Sequence, residues 1–175
     1  MKKVLFITVV AIAIIVACKS TTSSTPSNSV TIKLEPKSGS NTTGTATFTE
    51  KGGKVTMEAK LSGLKPGVHA IHIHEKADCS AADGSSAGGH WNPTFKKHGK
   101  WGDAEYHRGD IGNFTADVDG NATVIFTTDE WCIDCADKTK DILGKGLIVH
   151  ANPDDYTSQP AGNAGARVAC SGIIK

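Results

Sequence analysis

Six histidines and one carboxylate carry the chemistry this chain could perform: His72, His74, His90, His98, His107, Asp110 and His150. His72 and His74 stand two apart in the apolar, β-branched run 68–74. In a strand that spacing sends both imidazoles to one face and Ile73 to the other. His107 and Asp110 add a nitrogen and an oxygen donor three residues apart. Imidazole suits copper and zinc, and a carboxylate is an ordinary fourth zinc ligand. Any one of these histidines taken alone reads as a surface or hydrogen-bonded side chain. The alternating pair and the company it keeps point instead to metal.

The elements that would position these groups are short strands. Gly is frequent, at 19 residues, and Thr, Val and Ile recur in alternating runs. Such composition favours an all-β domain with many turns. Strands are expected over residues 30–34, 45–49, 55–61, 69–74, 115–118, 123–126, 147–149 and 167–174. Val55, Met57, Ala59 and Leu61, with Phe48, Phe114 and Phe126, are the expected core. Asp119-Gly120-Asn121 predicts a hairpin joining the fifth and sixth strands. Residues 75–109 form a stretch too long for an ordinary connection inside a compact domain. It holds His90, His98 and His107, so metal binding would order it.

At the motifs Gly89-His90-Trp91-Asn92-Pro93, Lys97-His98-Gly99, His107-Arg108-Gly109-Asp110-Ile111-Gly112-Asn113, Val149-His150 and Gly162-Asn163-Ala164-Gly165-Ala166-Arg167-Val168-Ala169-Cys170, the chain resembles the copper/zinc superoxide dismutases. The resemblance covers residues 30–175. It implies an eight-stranded Greek-key β-sandwich, or flattened barrel, with long metal-binding loops. It implies one copper and one zinc ion per chain, with superoxide as substrate. Carried over residue by residue, the copper ligands are His72, His74, His90 and His150. The zinc ligands are His90, His98, His107 and Asp110, so His90 bridges the two metals. Asp154 matches the carboxylate that links a copper histidine, His72, to a zinc histidine, His98. Arg167 matches the arginine beside copper, where a fixed guanidinium attracts and orients a small anion. His69 matches a histidine used structurally. The ligand spacings from His90 to Asp110 are those of the family. The segment between Cys79 and His90 is longer than in eukaryotic members, and those between His74 and Cys79 and between His150 and Arg167 are shorter.

Residues 1–17 read as a targeting segment. Lys2 and Lys3 precede a run, 4–17, that is apolar except for Thr8 and too short to span a bilayer comfortably. Its end, Ile15-Val16-Ala17-Cys18, resembles a bacterial lipobox, which implies cleavage before Cys18 and lipidation of that cysteine. Residues 18–29 then form a lipidated, Ser/Thr-rich flexible tether, and residues 30–175 the dismutase domain. The expected location is the bacterial cell envelope, lipid-anchored on the periplasmic side of the outer membrane, with membrane contact through the anchor alone. The whole chain has 19 basic and 18 acidic side chains. A near-neutral domain without a basic stripe argues against nucleic acid as partner. A homodimer is compatible with the family, which contains monomers and dimers.

With Cys18 lipidated, four cysteines remain, an even number suited to an oxidising compartment. The resemblance implies a disulfide between Cys79 and Cys170. Cys132 and Cys135 lie in a segment, 129–145, that departs from the best-known members. A CxxC can be a local disulfide, half of a metal site or a redox pair. With no second CxxC, a structural local disulfide is the preferred reading. The alternative to an enzyme is a dismutase-like protein that stores or buffers copper and zinc. Such a protein is expected to lack a ligand or the arginine, and this chain lacks neither. No Lys or Arg falls between His150 and Arg167. Arg167 is therefore expected to supply most of the attraction for superoxide, with Lys76, Lys96, Lys97 and Lys100 as the other candidate cations.

Overall fold

The computed structural model describes Met1 and residues 28–175. The expected targeting segment, Cys18 and most of the expected tether lie outside the described residues. Eight strands form: β1 Asn28–Pro36, β2 Thr43–Lys51, β3 Lys54–Ser62, β4 Gly67–His74, β5 Gly112–Ala116, β6 Ala122–Thr128, β7 Gly146–His150 and β8 Arg167–Gly172. A single 3-10 turn, Ser85–Ala87, interrupts the long connection between β4 and β5. The strand order is β5-β4-β7-β8-β1-β2-β3-β6, with every pairing antiparallel. This is the all-β, eight-stranded sandwich expected from the sequence.

The bend of the sheet falls in β1. Its residues from Asn28 to Leu34 pair with β2, while Glu35 and Pro36 pair with Cys170 and Ala169 of β8. Half of the strands, β1-β2-β3-β6, alternate buried and exposed residues as a half-solvated sheet should. Val30, Ile32, Phe48, Met57 and Val124 point inward to meet Ile71, Ile73, Leu147, Val149 and Ala169 from the other half. Phe48 is fully buried against Trp131, so Phe48→Ala would cost about 3–5 kcal/mol. Phe114 and Phe126 pack on this core while partly exposed.

Strands β4 and β7 break the alternation, because both of their faces are covered from Ala70 to His74 and from Gly146 to His150. One face feeds the core through Ile71, Ile73, Leu147 and Val149. The other carries His72, His74, Ile148 and His150, roofed by the long loops. Thus the continuous apolar-plus-histidine run of β4 is a strand buried on both sides.

Two expectations are corrected. The first strand, expected over residues 30–34, spans Asn28–Pro36. Asn28 and Ser29 pair with Glu50 and Thr49, since backbone pairing continues past the point where the apolar alternation stops. The turn at Asp119-Gly120-Asn121 forms, with the Asp117 carboxylate accepting from the N–H groups of Asp119 and Asn121 at 3.0 and 2.8 Å. It does not join a hairpin. β5 pairs with β4 and β6 with β3, at opposite ends of the strand order. Val118, expected in a strand, sits exposed in the turn.

Candidate metal centre

Strand register brings the first ligands together. In β4 and β7, His72 is level with Ile148 and His74 with Gly146. A β-bulge at Val149/His150 shifts the end of β7 where it meets β8. The loop after β4 returns alongside it: Trp91 N–H donates to Ile73 O at 2.8 Å, Ile73 N–H to Gly109 O at 2.9 Å, and Gly109 N–H to Trp91 O at 3.0 Å. This three-way tie carries His90 to one side of His74 and His107-Arg108-Gly109-Asp110 to the other. All six histidines and Asp110 are buried.

Two groups of convergent donors result. His72, His74, His90 and His150 form one; His90, His98, His107 and Asp110 form the other. Every imidazole except the shared His90 is oriented by a hydrogen bond from its outer nitrogen. His74 Nδ1 donates to Gly88 O at 3.0 Å and His150 Nδ1 to Gly165 O at 3.4 Å. His72 Nε2 donates to Asp154 Oδ2 and His98 Nε2 to Asp154 Oδ1, both at 2.9 Å. His107 Nε2 donates to Lys96 O at 3.1 Å. His90 is common to both groups, with Nδ1 at 2.8 Å from Asp110 Oδ1.

What the inner nitrogens face decides whether copper and zinc fit. His72 Nδ1, His90 Nε2, His98 Nδ1 and His107 Nδ1 are buried without a well-aligned hydrogen bond, and the last two have only the Asp110 carboxylate beside them, at 3.0 and 3.2 Å. Leaving a buried polar atom unpaired costs about 1–3 kcal/mol, a cost that a bound cation would remove. His74 Nε2 and His150 Nε2 face each other at 3.4 Å. With both Nδ1 atoms donating outward, these are two lone pairs that a cation would reconcile. In the second group, Asp110 oxygens lie 2.8, 3.0 and 3.2 Å from the ring nitrogens of His90, His98 and His107. Ligands about 2.0–2.1 Å from a tetrahedral zinc stand about 3.3 Å apart. The donor sets therefore fit: four imidazole nitrogens for copper, three plus a carboxylate for zinc.

Protonation favours binding on the copper side, while zinc would have to displace a proton from His98. Burial, with the neighbouring histidines, holds the His74 and His150 pKa values well below normal. Burial also lowers His90, to about 4, despite the opposing bond to Asp110. His98 goes the other way: burial disfavours its charge, but bonds to Asp110 and Asp154 raise it to about 9. Burial would raise both carboxyls, yet histidine bonds hold Asp110 and Asp154 below the usual carboxylate range. Neutral copper-side imidazoles and ionised carboxylates are the states that metal coordination needs.

A cavity of about 300 Å³ opens on this centre, lined by His74, His90, His150, Arg167, Gln159 and Asn163 among others. Arg167 is the one Lys or Arg in its lining; Lys76, Lys96, Lys97 and Lys100 contribute nothing to it. The guanidinium is pinned, with Nη1 donating to Gly84 O and Nη2 to Gly88 O, each at 2.7 Å. Cys79 and Cys170 are joined, Cα atoms 5.9 Å apart, so the loop that holds Arg167 is fastened to β8 three residues beyond it. Cys132 and Cys135 form the second disulfide. That segment braces the zinc loop from outside. Glu130 accepts from Tyr106 OH at 2.6 Å and pairs with Arg108, and Trp131 Nε1 donates to Arg108 O at 2.9 Å.

Sequence reasoning missed several side chains that hold the site. Asn113 clips the main chain of Asp154 from both ends, accepting from its N–H at 2.7 Å and donating to its carbonyl at 2.9 Å. Gln159 does the same for His98. The two ring nitrogens of His69 lie 2.7 and 2.9 Å from Lys65 O and His150 O, and the ring belongs to neither group of donors.

Two buried, imidazole-rich donor groups that share one histidine, set on a Greek-key sandwich, define a narrow class of protein. The family model for copper/zinc superoxide dismutase matches residues 42–174. The chain is 42% identical over 139 residues to superoxide dismutase [Cu-Zn] 2 of Brassica juncea, covering 75% of this chain and 88% of that one. It is also similar to a crystal structure of the clock protein EA4, with a TM-score of 0.73 and 33% identity, covering 83% of this chain and 94% of that one. The chain belongs to the copper/zinc superoxide dismutase family.

Proposed function

We propose that this protein is a superoxide dismutase that converts two superoxide anions and two protons into dioxygen and hydrogen peroxide. One anion is oxidised and the other reduced. The observation that carries the reading is the pair of buried four-donor groups that share His90, their ring nitrogens turned inward without well-aligned hydrogen bonds. When bound, copper would supply the one-electron redox change and zinc a fixed charge and geometry. His72, His74, His90 and His150 would hold copper; His90, His98, His107 and Asp110 would hold zinc.

The remaining chemistry belongs to the chain. Arg167 attracts the anion and orients it in the cavity. His90 presents Nε2 to the copper side while Nδ1 stays engaged beside Asp110, so Nε2 is the atom placed to take up a proton and release it. Asp154 fixes the tautomers of His72 and His98 by accepting from both. A storage role is disfavoured by the complete ligand sets and by an arginine pinned at the cavity.

The protein's place in the cell is part of the same proposal. Residues 1–17 are a lipoprotein signal, Cys18 carries lipid, and a short tether holds the domain at the periplasmic side of the outer membrane. The lipobox-like sequence supports this. Superoxide decay measured with copper-loaded and copper-free protein tests the enzymatic reading. Turnover that depends on copper supports it, and fully loaded protein without turnover refutes it.

A further inference from the structure

Gln159 is not among the convergent donors, yet its carboxamide is paired at both ends with the main chain of one of them. His98 N–H donates to Gln159 Oε1 at 2.9 Å, and Gln159 Nε2 donates to His98 O at 2.9 Å. The two residues are 61 apart in sequence. We propose that Gln159 is a positioning residue that sets His98 in the zinc site and ties zinc occupancy to the wall of the copper cavity. This rests on the assignment of His98 as a zinc ligand.

The amide is presented from a rigid base. The Asp155 carboxylate accepts from Thr157 N–H at 2.9 Å, Ser158 N–H at 2.8 Å, Ser158 Oγ at 2.6 Å and Asn163 Nδ2 at 3.2 Å. The loop closes on itself through Asp155 N–H to Gly162 O and Gly162 N–H to Ser158 O, at 2.9 and 2.8 Å. These bonds order the loop on both sides of Gln159 without His98, and Gln159 Nε2 adds a longer bond to Thr157 O at 3.4 Å.

The same loop holds the other end of His98. Asp154 Oδ1 takes the ring Nε2–H. Gly162, at φ +68°, backs directly onto that pair, and a methyl there would collide with Asp154 Oδ1 and lie 2.7 Å from His98 Nε2. A ring held at Nε2 alone could still swing with its own backbone. With the main chain fixed as well, the direction of Nδ1, the atom left for zinc, is determined. Outer contacts of this kind are worth about 10–100-fold in metal affinity.

Gln159 also lines the copper cavity beside Pro160, Ala161 and Asn163. A His98 displaced for want of zinc would pull on the residue that forms this wall. The pairing thus couples the structural metal to the entrance used by the substrate.

The test uses the full chain. Gln159→Met keeps the length and bulk but has no donor or oxygen acceptor, Gln159→Ala removes the bulk too, and His98→Ala is the control. Zinc dissociation constants come from competition with a chromogenic chelator. The visible spectrum of cobalt(II) in the zinc site reports ligand geometry, which a mere loop brace would not alter. Zinc affinity should fall about tenfold or more in both Gln159 variants, with a shifted cobalt spectrum. Wild-type zinc affinity and spectrum in Gln159→Met, while His98→Ala has lost zinc, would overturn the role of Gln159. Wild-type zinc affinity in His98→Ala would overturn the ligand assignment and this inference with it.

Discussion

Asp154→Asn should damage the copper site more than the zinc site, although Asp154 touches a ligand of each. The carboxylate is buried, with Oδ2 accepting from His72 Nε2 at 2.9 Å. Oδ1 accepts twice, from His98 Nε2 at 2.9 Å and from Tyr156 N–H at 2.7 Å. An amide keeps one oxygen. It satisfies more partners by leaving that oxygen at the Oδ1 position, which turns its NH₂ toward His72 Nε2. Two donors then meet, and His72 relieves the clash by moving its proton to Nδ1. Nδ1 is the atom this ring presents to copper, so the wrong tautomer cannot bind. The expected loss is about 10–100-fold in copper affinity, or about 1.4–2.7 kcal/mol. The zinc loss should be smaller. Asp154→Ala, which frees both rings, should weaken both metals. Copper and zinc dissociation constants from chelator competition on the same preparations check this. If Asp154→Asn lowers zinc affinity as much as copper affinity, or changes neither, the tautomer reasoning is wrong.

Arg167→Ala should lower the second-order rate constant for superoxide about tenfold, equivalent to about 1.4 kcal/mol. Arg167→Glu should lower it further, and the wild-type rate should fall as salt rises, all measured by stopped-flow decay with copper content held equal. Loss of the Cys79–Cys170 bond, whose partners are 91 residues apart, should cost about 4–5 kcal/mol in the chain-entropy picture. Loss of Cys132–Cys135 should cost about 2 kcal/mol by the same relation; denaturant unfolding of Cys79→Ser and of the double variant Cys132→Ser/Cys135→Ser compares them. Cys18→Ser should release active protein from membranes, and a variant that still sediments with them would rule out the lipid anchor.

The ligands were legible because each stands in a short motif with its own spacing, and because a strand converts the spacing of His72 and His74 into a shared face. Strand positions were legible for the same reason: alternation at Val55, Met57, Ala59 and Leu61 needs no knowledge of partners. Pairing was not. Asp117 and Gly120 fix a chain reversal between β5 and β6, but a reversal says nothing about which neighbour each strand will bond. Register with β4 and β3 decided that. Gln159 and Asn113 were invisible for a related reason. An amide side chain has no periodicity, and their partners, His98 and Asp154, lie 61 and 41 residues away. The resemblance supplied Asp154 and Arg167, whose roles depend on contacts across the fold.

The central claim is that one histidine joins two different metals. Anomalous diffraction from crystals of the loaded protein, recorded at the copper and zinc absorption edges, tests it directly. A copper peak enclosed by His72, His74, His90 and His150 should appear, with a separate zinc peak enclosed by His90, His98, His107 and Asp110. A single peak, or copper bound among His98, His107 and Asp110 with the other site bare, would contradict the account.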